Sequence, residues 1–375
     1  MSSKFLHISI IIFKVLCGIA ASFMVGFWIF KFNENEDVSA IEYISYETHS
    51  DITYPELSIC INKPFIYDNL SLDPKVHVSA DEYHQYIIGQ SIFREEYRNI
   101  SYRNVTLNMF EYVQQVQLLM RNETMEKSKL CNKIEACPYI RFTNNFNGFI
   151  KSFSTRCFGF HVNLKISGNV EALIIIFKSE LNDILNMIGK NNLGQTFVVL
   201  NYPGQMLNAP EVGTPIWTNP NSSLGLLSIK VSTNEILRRR AKRKTPCFSD
   251  WMYFDDMVQE KHHSAVGCSP PYQNSSKPIC TSKTQLSKSR YDYSIMPRKY
   301  YPVPCEAMSS IVFMANKLDY SVSSETPSLM ITYPKTTRLV TQLKSVDLHA
   351  LIGNIGGYIG LFLGKYNIQI QFLYI

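Results

Sequence analysis

The stretch Leu351-Ile-Gly-Asn-Ile-Gly-Gly-Tyr-Ile-Gly-Leu-Phe-Leu-Gly364 is apolar enough to enter a bilayer, yet it carries five glycines. Each glycine costs a helix about 1 kcal/mol relative to alanine, so a run this rich in them needs a use. Gly356, Gly360 and Gly364 recur every four residues, which sets them on one stripe of a helix. In lipid such a stripe lets backbones approach closely, either helix to helix or backbone to a permeating ion. The glycines alone leave a dimerisation face and a pore lining both open.

A second apolar segment lies at the other end of the chain. From Ile8 to Phe30 the only charge is Lys14, and the length matches the ~20 residues that cross a bilayer. Trp28, Phe30 and Lys31 stand at its outer end, where aromatics and a snorkelling lysine anchor at the interface. Gly18-Ile-Ala-Ala-Ser22 has the small residues of a signal-peptide cleavage site. Apolar residues continue through Phe23–Phe30 beyond it, so the expectation is a retained transmembrane helix over 8–32. Residues 1–7 form a short cytoplasmic N-terminus, with Lys4, His7 and Lys14 as a weak positive-inside flank.

What lies between belongs to an oxidising compartment. Of nine cysteines, Cys17 is in the apolar segment and eight fall between residues 60 and 305. An even number there fits disulfides, although eight cysteines allow 105 connectivities. N-x-[ST] sequons occur at Asn69, Asn99, Asn104, Asn122, Asn221 and Asn274, all in the same interval. Together these place 33–346 outside the cell or in a lumen. A chain 45% hydrophobic and 18% charged can bury a large core, and a net charge of +6 is mild for 375 residues. No phosphate loop, RNP-like motif, nucleophile elbow, HExxH or paired-carboxylate motif appears, which argues against nucleic-acid binding, enzymatic activity and a cofactor.

Within that interval, Tyr54-Pro-Glu-Leu-Ser-Ile-Cys60-Ile-Asn62 alternates as a short strand. Residues 81–126 read as helical, with apolar periodicity across Met109–Met120. Val170–Phe177, Thr196–Leu200, Ser228–Ser232, Leu329–Thr332 and Arg338–Leu343 read as strands, with turns supplied by Gly194, Tyr202-Pro-Gly204 and Val212-Gly-Thr-Pro215. The proline-rich block 245–305 holds four cysteines and reads as a stapled subdomain. The expected class is a membrane protein of α+β type: two transmembrane helices flank a large disulfide-rich ectodomain with a β-sheet palm and helical finger and thumb elements.

Several motifs together resemble the degenerin/epithelial sodium channel family, and Pro246-Cys-Phe-Ser-Asp-Trp251 with Gly267-Cys-Ser-Pro-Pro-Tyr272 resembles its invertebrate branch. Tyr54-Pro-Glu-Leu-Ser-Ile-Cys60 is similar to the strand after that family's first transmembrane helix. Arg156-Cys157-Phe-Gly-Phe160 is similar to its mid-ectodomain Cys-aromatic-x-Phe motif, and Tyr301-Pro-Val-Pro-Cys305 to the Pro-Cys closing its thumb. Ile352–Gly364 resembles its LxGxxGGxxGLFLGxS at the outer half of the second helix.

The resemblance implies a homo- or heterotrimer in the plasma membrane, passing Na⁺ without voltage gating and blocked by amiloride. Its partners would be like subunits, membrane lipid and an extracellular ligand or matrix. It implies the pairs Cys60–Cys157, Cys131–Cys137, Cys268–Cys280 and Cys247–Cys305. The last two are nested and would brace a helical hairpin; closing the Cys247–Cys305 loop stabilises by about 4 kcal/mol on the chain-entropy model. By motif position, Gly353 falls where enlarging a small residue holds such channels open, and Asn354 at the pore mouth. Gly357, Gly360 and Gly364 fall along the pore, with Gly364 opening the selectivity filter.

The pattern breaks after Gly364. Lys365 would put a fixed charge at the narrowest part of a cation pore, and Tyr366 replaces the filter serine. The segment 347–364 is only the start of a second transmembrane helix, and the tail 365–375 is anomalous. Gly-Lys-Tyr is what GGT-AAG-TAT encodes, and GTAAGTAT is an intron-start signal, so the expectation for 365–375 is intron read-through. The family's cytoplasmic His-Gly motif is also absent. The alternative reading is therefore a non-conducting or dominant-negative truncated subunit, or a cysteine-rich extracellular binding module.

Four weaker signals complete the sequence. Arg238-Arg-Arg-Ala-Lys-Arg-Lys244 reads as a solvated loop, with Arg240 and Arg243 marking a dibasic processing pattern. His262-His263 reads as a solvated pair, because nothing at ligand spacing completes a metal site. Asp255, Asp256 and Glu260 read as a charged helix face. Tyr43 and Tyr46 fit equally an interfacial anchor and a coupling between ectodomain and pore.

Overall fold

The computed structural model describes residues 3–46, 53–67, 69–70, 75–90, 94–121, 129–134, 137–150, 153–163, 170–190, 196–203, 214–216, 226–242, 246–249, 254–272, 276–289, 303–315 and 326–372. In chain order the elements begin with α1 (Ser3–Glu34), β1 (Asp37–Ser45), β2 (Glu56–Asn62), α2 (Ala80–Ile87) and α3 (Tyr102–Val105). Then come β3 (Val113–Met120), β4 (Lys129–Cys131), β5 (Ile140–Ile150), β6 (Phe153–Val162), β7 (Val170–Phe177), α4 (Glu180–Lys190), β8 (Thr196–Asn201) and β9 (Thr214–Ile216). The last third holds β10 (Leu226–Arg238), β11 (Cys247–Phe248), α5 (Phe254–Val266), α6 (Lys283–Ser289) and β12 (Val303–Pro304). It ends with β13 (Glu306–Ala315), β14 (Ser328–Thr332), β15 (Thr336–Lys344) and α7 (Leu348–Phe372).

The chain divides into two compact units: Met1–Ala40 with Thr341–Ile375, and Ile41–Val340. The first unit joins the two ends of the sequence, with α1 packed against α7. In α1 the half-buried positions Cys17, Ala21, Met24, Val25, Trp28, Lys31 and Phe32 recur every three or four residues and form one stripe. The stretch Ile11–Glu34, at a mean hydropathy of 2.0, is long and apolar enough to cross a membrane. Asp347 precedes helix α7 and its carboxylate accepts from the Ala350 N–H at 2.6 Å; the helix continues through Phe372. Among the described residues its apolar stretch is Leu348–Phe362, and no second helix long and apolar enough to cross a membrane is found among them.

The second unit is built on two sheets. One runs in the order β1-β15-β10-β14-β7-β3-β4, with β13 also paired to β10; the other runs β5-β6-β2-β8-β9. Strand β2 lies between β6 and β8, so all seven of its residues are buried. It is a central strand with two covered faces, not the half-exposed alternating one expected. Leu57, Ile59 and Phe158 of one sheet share a core with Val116, Leu173, Ile175, Ile229 and Leu329 of the other.

The helical expectation for 81–126 holds only in part. Helix α2 starts with a capping box: Ser79 Oγ accepts from the Glu82 N–H, and the Glu82 carboxylate accepts from the Ser79 N–H, both at 3.2 Å. Short 3₁₀ turns follow at Glu95–Asn99 and Met109–Tyr112. Val113–Met120 is strand β3, antiparallel to β7. Its burial alternates, with Val116, Leu118 and Met120 inward, a period of two that the flanking apolar residues Met109 and Phe110 disguise as a helical one.

A second core joins α2 to the disulfide block. Tyr83, Tyr86, Tyr97 and Tyr102 pack with Phe65 and meet Tyr272, Cys268, Cys280 and Leu286. Gly89 ends α2 in the left-handed region at φ +71°, and a Cβ there would lie 3.1 Å from the Ser287 backbone nitrogen. The positive φ and the tight spacing both favour glycine at that turn.

Candidate functional site

The glycine-rich helix separates two faces. Leu351, Asn354, Ile355, Tyr358 and Phe362 are half-buried, whereas Gly353, Gly356, Gly357 and Gly360 are exposed. A Cβ added at any of these four glycines would meet nothing within 4 Å. Packing against α1 therefore does not require them, and the helix loses stability at each without a compensating contact inside this chain. Asn354 lies on the half-buried stripe, apart from the glycines that the motif groups it with. Backbone helix continues through Gly364, Lys365 and Tyr366.

The second unit is stapled by Cys60–Cys157, Cys131–Cys137, Cys247–Cys305 and Cys268–Cys280. These are the pairs that the family resemblance implies. Cys60 and Cys157 stand opposite each other on β2 and β6, which brings their Cα atoms to 4.0 Å. Cys247 and Cys305 close the block that holds α5 and α6, where β11 pairs with β12. Cys268–Cys280 lies nested inside it.

Several sequence expectations about side chains need correction. His262 and His263 are buried, not solvated: helix α5 packs on α6, and His262 Nε2 is 2.9 Å from the Lys288 carbonyl. Burial holds the His262 imidazole below its ordinary pKa, opposed by that hydrogen bond. The basic run is tied down at its start. Arg238 Nε donates to Glu306 Oε1 at 2.9 Å, and Arg239 Nη1 donates to the Pro304 carbonyl at 2.9 Å. The other Glu306 carboxylate oxygen accepts from the Tyr202 hydroxyl. Arg240 is half-buried, and Arg243 lies outside the described residues.

Tyr46 is no interfacial anchor. It is buried, its ring stacks on Tyr54 at 4.3 Å, and its hydroxyl accepts from Asn234 Nδ2 at 2.8 Å. Asn234, fully buried on β10, also donates to Thr337 Oγ1 on β15 at 3.2 Å and accepts from Ser310 Oγ on β13 at 2.8 Å. One amide thus cross-links three strands to the tyrosine that follows β1. Tyr43, by contrast, is 72% exposed. Glu260 accepts from Ser276 Oγ at 2.8 Å; the side chains of Asp255 and Asp256 lie outside the described ones.

Of the sequon residues, Asn69, Asn99 and Asn104 are exposed, and Asn122, Asn221 and Asn274 lie outside the described residues. Among the described residues no group of three or more His, Cys, Asp or Glu side chains is placed to hold a metal.

One feature carries only a weak signal in the sequence. Arg156, 1% exposed, sits beside Cys157 on β6, and its Nη1 donates to Thr106 O (2.8 Å), Thr106 Oγ1 (3.1 Å) and Leu107 O (2.7 Å). Its guanidinium also lies 5.2 Å from the centre of the Phe158 ring. Burial lowers its pKa to about 10, so it stays charged. It forms the floor of a cleft of about 620 Å³ whose walls include Ile66, Arg103, Asn104, Asn108, Glu111 and Tyr112. The signal in the sequence is an arginine set beside Cys157, Phe158 and Phe160 in a strand, where only a bonded one is tolerated.

The fold and these features define a class: a mixed α/β protein held by four disulfides, with an N-terminal helix long and apolar enough to cross a membrane. No family model and no curated protein matches the chain. Among solved structures, the chain matches one described as the cryo-EM structure of a proton-activated chloride channel. The two are 8% identical, and the match covers 98% of this chain and 99% of that one at a TM-score of 0.26. A score that low does not establish a shared fold.

Proposed function

We propose that this chain is a subunit of a trimeric, amiloride-sensitive, non-voltage-gated sodium channel of the plasma membrane, with residues 33–346 outside the cell. The observation that carries the reading is the division of the chain. Helices from its two ends pack together as one unit, while all four disulfides lie in the other. Disulfides persist where the surroundings oxidise, so a stapled unit following a membrane-length helix belongs on the outer side. The exposure of Asn69, Asn99 and Asn104 supports the same placement.

The open glycine face of α7 supports the assembly. In a trimer the three faces would line one axis, where Gly357, Gly360 and Gly364 bring backbone carbonyls close to a permeating Na⁺. Gly353 takes the gating position and Asn354 stands near the mouth. The reading gives the chain no catalytic activity and no cofactor.

A second reading is favoured by the sequence, where the apolar run from Leu348 to Leu363 is short of a span and Lys365 follows it. On that reading the chain is a non-conducting subunit that disables assemblies, or a cysteine-rich extracellular module released from α1. N-terminal sequencing of the mature protein separates channel from released module. An intact α1 agrees with the channel; a start near Ala21 or Ser22 contradicts it.

A further inference from the structure

The cleft above Arg156 has Asn104 in its wall, and Asn104 heads the sequon Asn104-Val105-Thr106. We propose that this cleft is the seat of the N-glycan on Asn104, whose first sugars fold back into it instead of projecting into water. The inference rests on the extracellular placement of residues 33–346 proposed above.

The lining has the chemistry of a sugar site. Arg103, Asn108 and Glu111 line it with planar polar groups of the kind that bind hydroxyl and acetamide groups, Asn108 Nδ2 itself donating to Glu111 Oε1 at 2.7 Å. The half-buried Tyr112 and Ile66 offer apolar surface for the C–H face of a pyranose ring. The same lining argues against a small free anion. Arg156 directs Nη1 into the protein, holding the carbonyls of Thr106 and Leu107, and Glu111 adds a negative charge to the wall. Asn69 and Asn99 are exposed too, but neither lines this cleft.

The order of events is also consistent. In the fold Thr106 is buried, and its hydroxyl donates to the Tyr102 carbonyl at 2.7 Å. Sugar transfer requires that hydroxyl to be accessible, so the glycan is attached before α3 docks and is present when the cleft forms around it.

The test uses the full chain made in N-glycosylating animal cells and purified in detergent. Site-resolved mass spectrometry follows release of each glycan by peptide-N-glycosidase under native conditions. The Asn104 glycan is expected to be occupied and released about tenfold more slowly than those on Asn69 and Asn99, the factor that 1.4 kcal/mol of seating gives. Denaturation should abolish the difference. Arg103→Ala, which keeps the sequon, should narrow it while leaving release at Asn69 and Asn99 unchanged. Equal native rates at the three sites overturn the inference, as does an unoccupied Asn104 beside occupied neighbours. A chain with no sugar at any site overturns the extracellular placement and the inference with it.

Discussion

Gly89 and Ser287 meet so closely that a side chain on Gly89 would press its Cβ to 3.1 Å from the Ser287 nitrogen and 3.2 Å from its Cα. The contact joins the C-terminal turn of α2 to α6 inside the Cys247–Cys305 block, and both neighbouring atoms are backbone. Gly89→Ala therefore combines a left-handed φ with a contact tight enough that the Ser287 backbone must give by a few tenths of an ångström. The left-handed conformation alone costs about 1–2 kcal/mol. Chemical denaturation of the full chain in detergent should show at least that loss, and an unchanged midpoint would contradict the contact.

Arg156 is expected to matter for stability more than its place in the sequence suggests. Arg156→Met keeps an apolar body but leaves the carbonyls of Thr106 and Leu107 without this donor. With about 1.5–3 kcal/mol for each hydrogen bond to a charged group, a loss of about 3 kcal/mol or more is expected. Arg156→Lys should recover part of it. A methionine variant as stable as the wild type would show that these bonds contribute nothing.

His161 makes stability depend on pH. Burial, with the Arg141 charge adding to it, holds its pKa at about 4 against an ordinary 6.5. The unfolded chain then takes up the proton first. The stabilisation is complete above pH 6.5 and is lost as pH falls towards 4, by about 3 kcal/mol in all. His262, also lowered, acts in the same direction. Thermal unfolding of wild type and His161→Gln between pH 7 and pH 4 checks the sign: the wild type should fall more steeply. Parallel curves would remove His161 from the account.

The nested disulfides predict a graded cost. Cys247 and Cys305 are 58 residues apart, and removing a bridge over a loop of that length should cost about 4 kcal/mol, more than removing Cys268–Cys280 with its shorter loop. Unfolding midpoints of the two double-serine variants compare them. Non-reducing peptide maps check the pairing, and Cys247 joined to Cys280 would contradict it.

Legibility in the sequence followed how local the deciding physics was. Strands such as Val170–Phe177 and Leu329–Thr332 are visible because β-branched runs state their own preference. Val113–Met120 was not: its alternation is carried by only three inward residues, and its partner β7 lies some fifty residues on. The cysteine pairs came with a motif resemblance, since spacing alone leaves all connectivities open. The burial of Tyr46, His262 and Arg156 depends on Asn234, Lys288 and Thr106, each distant in sequence. Nothing beside those residues announces the partner. Gly89 went unread for the same reason, because the need for glycine arises from α6, nearly two hundred residues later. In α7 the glycine spacing was plain, but its separation from Asn354 required the helix packed on α1.

The central claim is that α7 lines a sodium pathway in an assembly of like subunits, and Gly353 offers the most direct access to it. Gly353 is exposed, and a Cβ there meets nothing within 4 Å in its own chain, so Gly353→Val leaves the fold of the subunit intact. Its effect must then arise where subunits meet. Two-electrode voltage clamp of oocytes expressing this variant, with surface labelling to establish delivery, measures it. The account predicts a sustained inward current that amiloride blocks and that disappears when Na⁺ is replaced by a large organic cation. A variant that reaches the surface and carries no amiloride-blocked Na⁺ current would contradict the account.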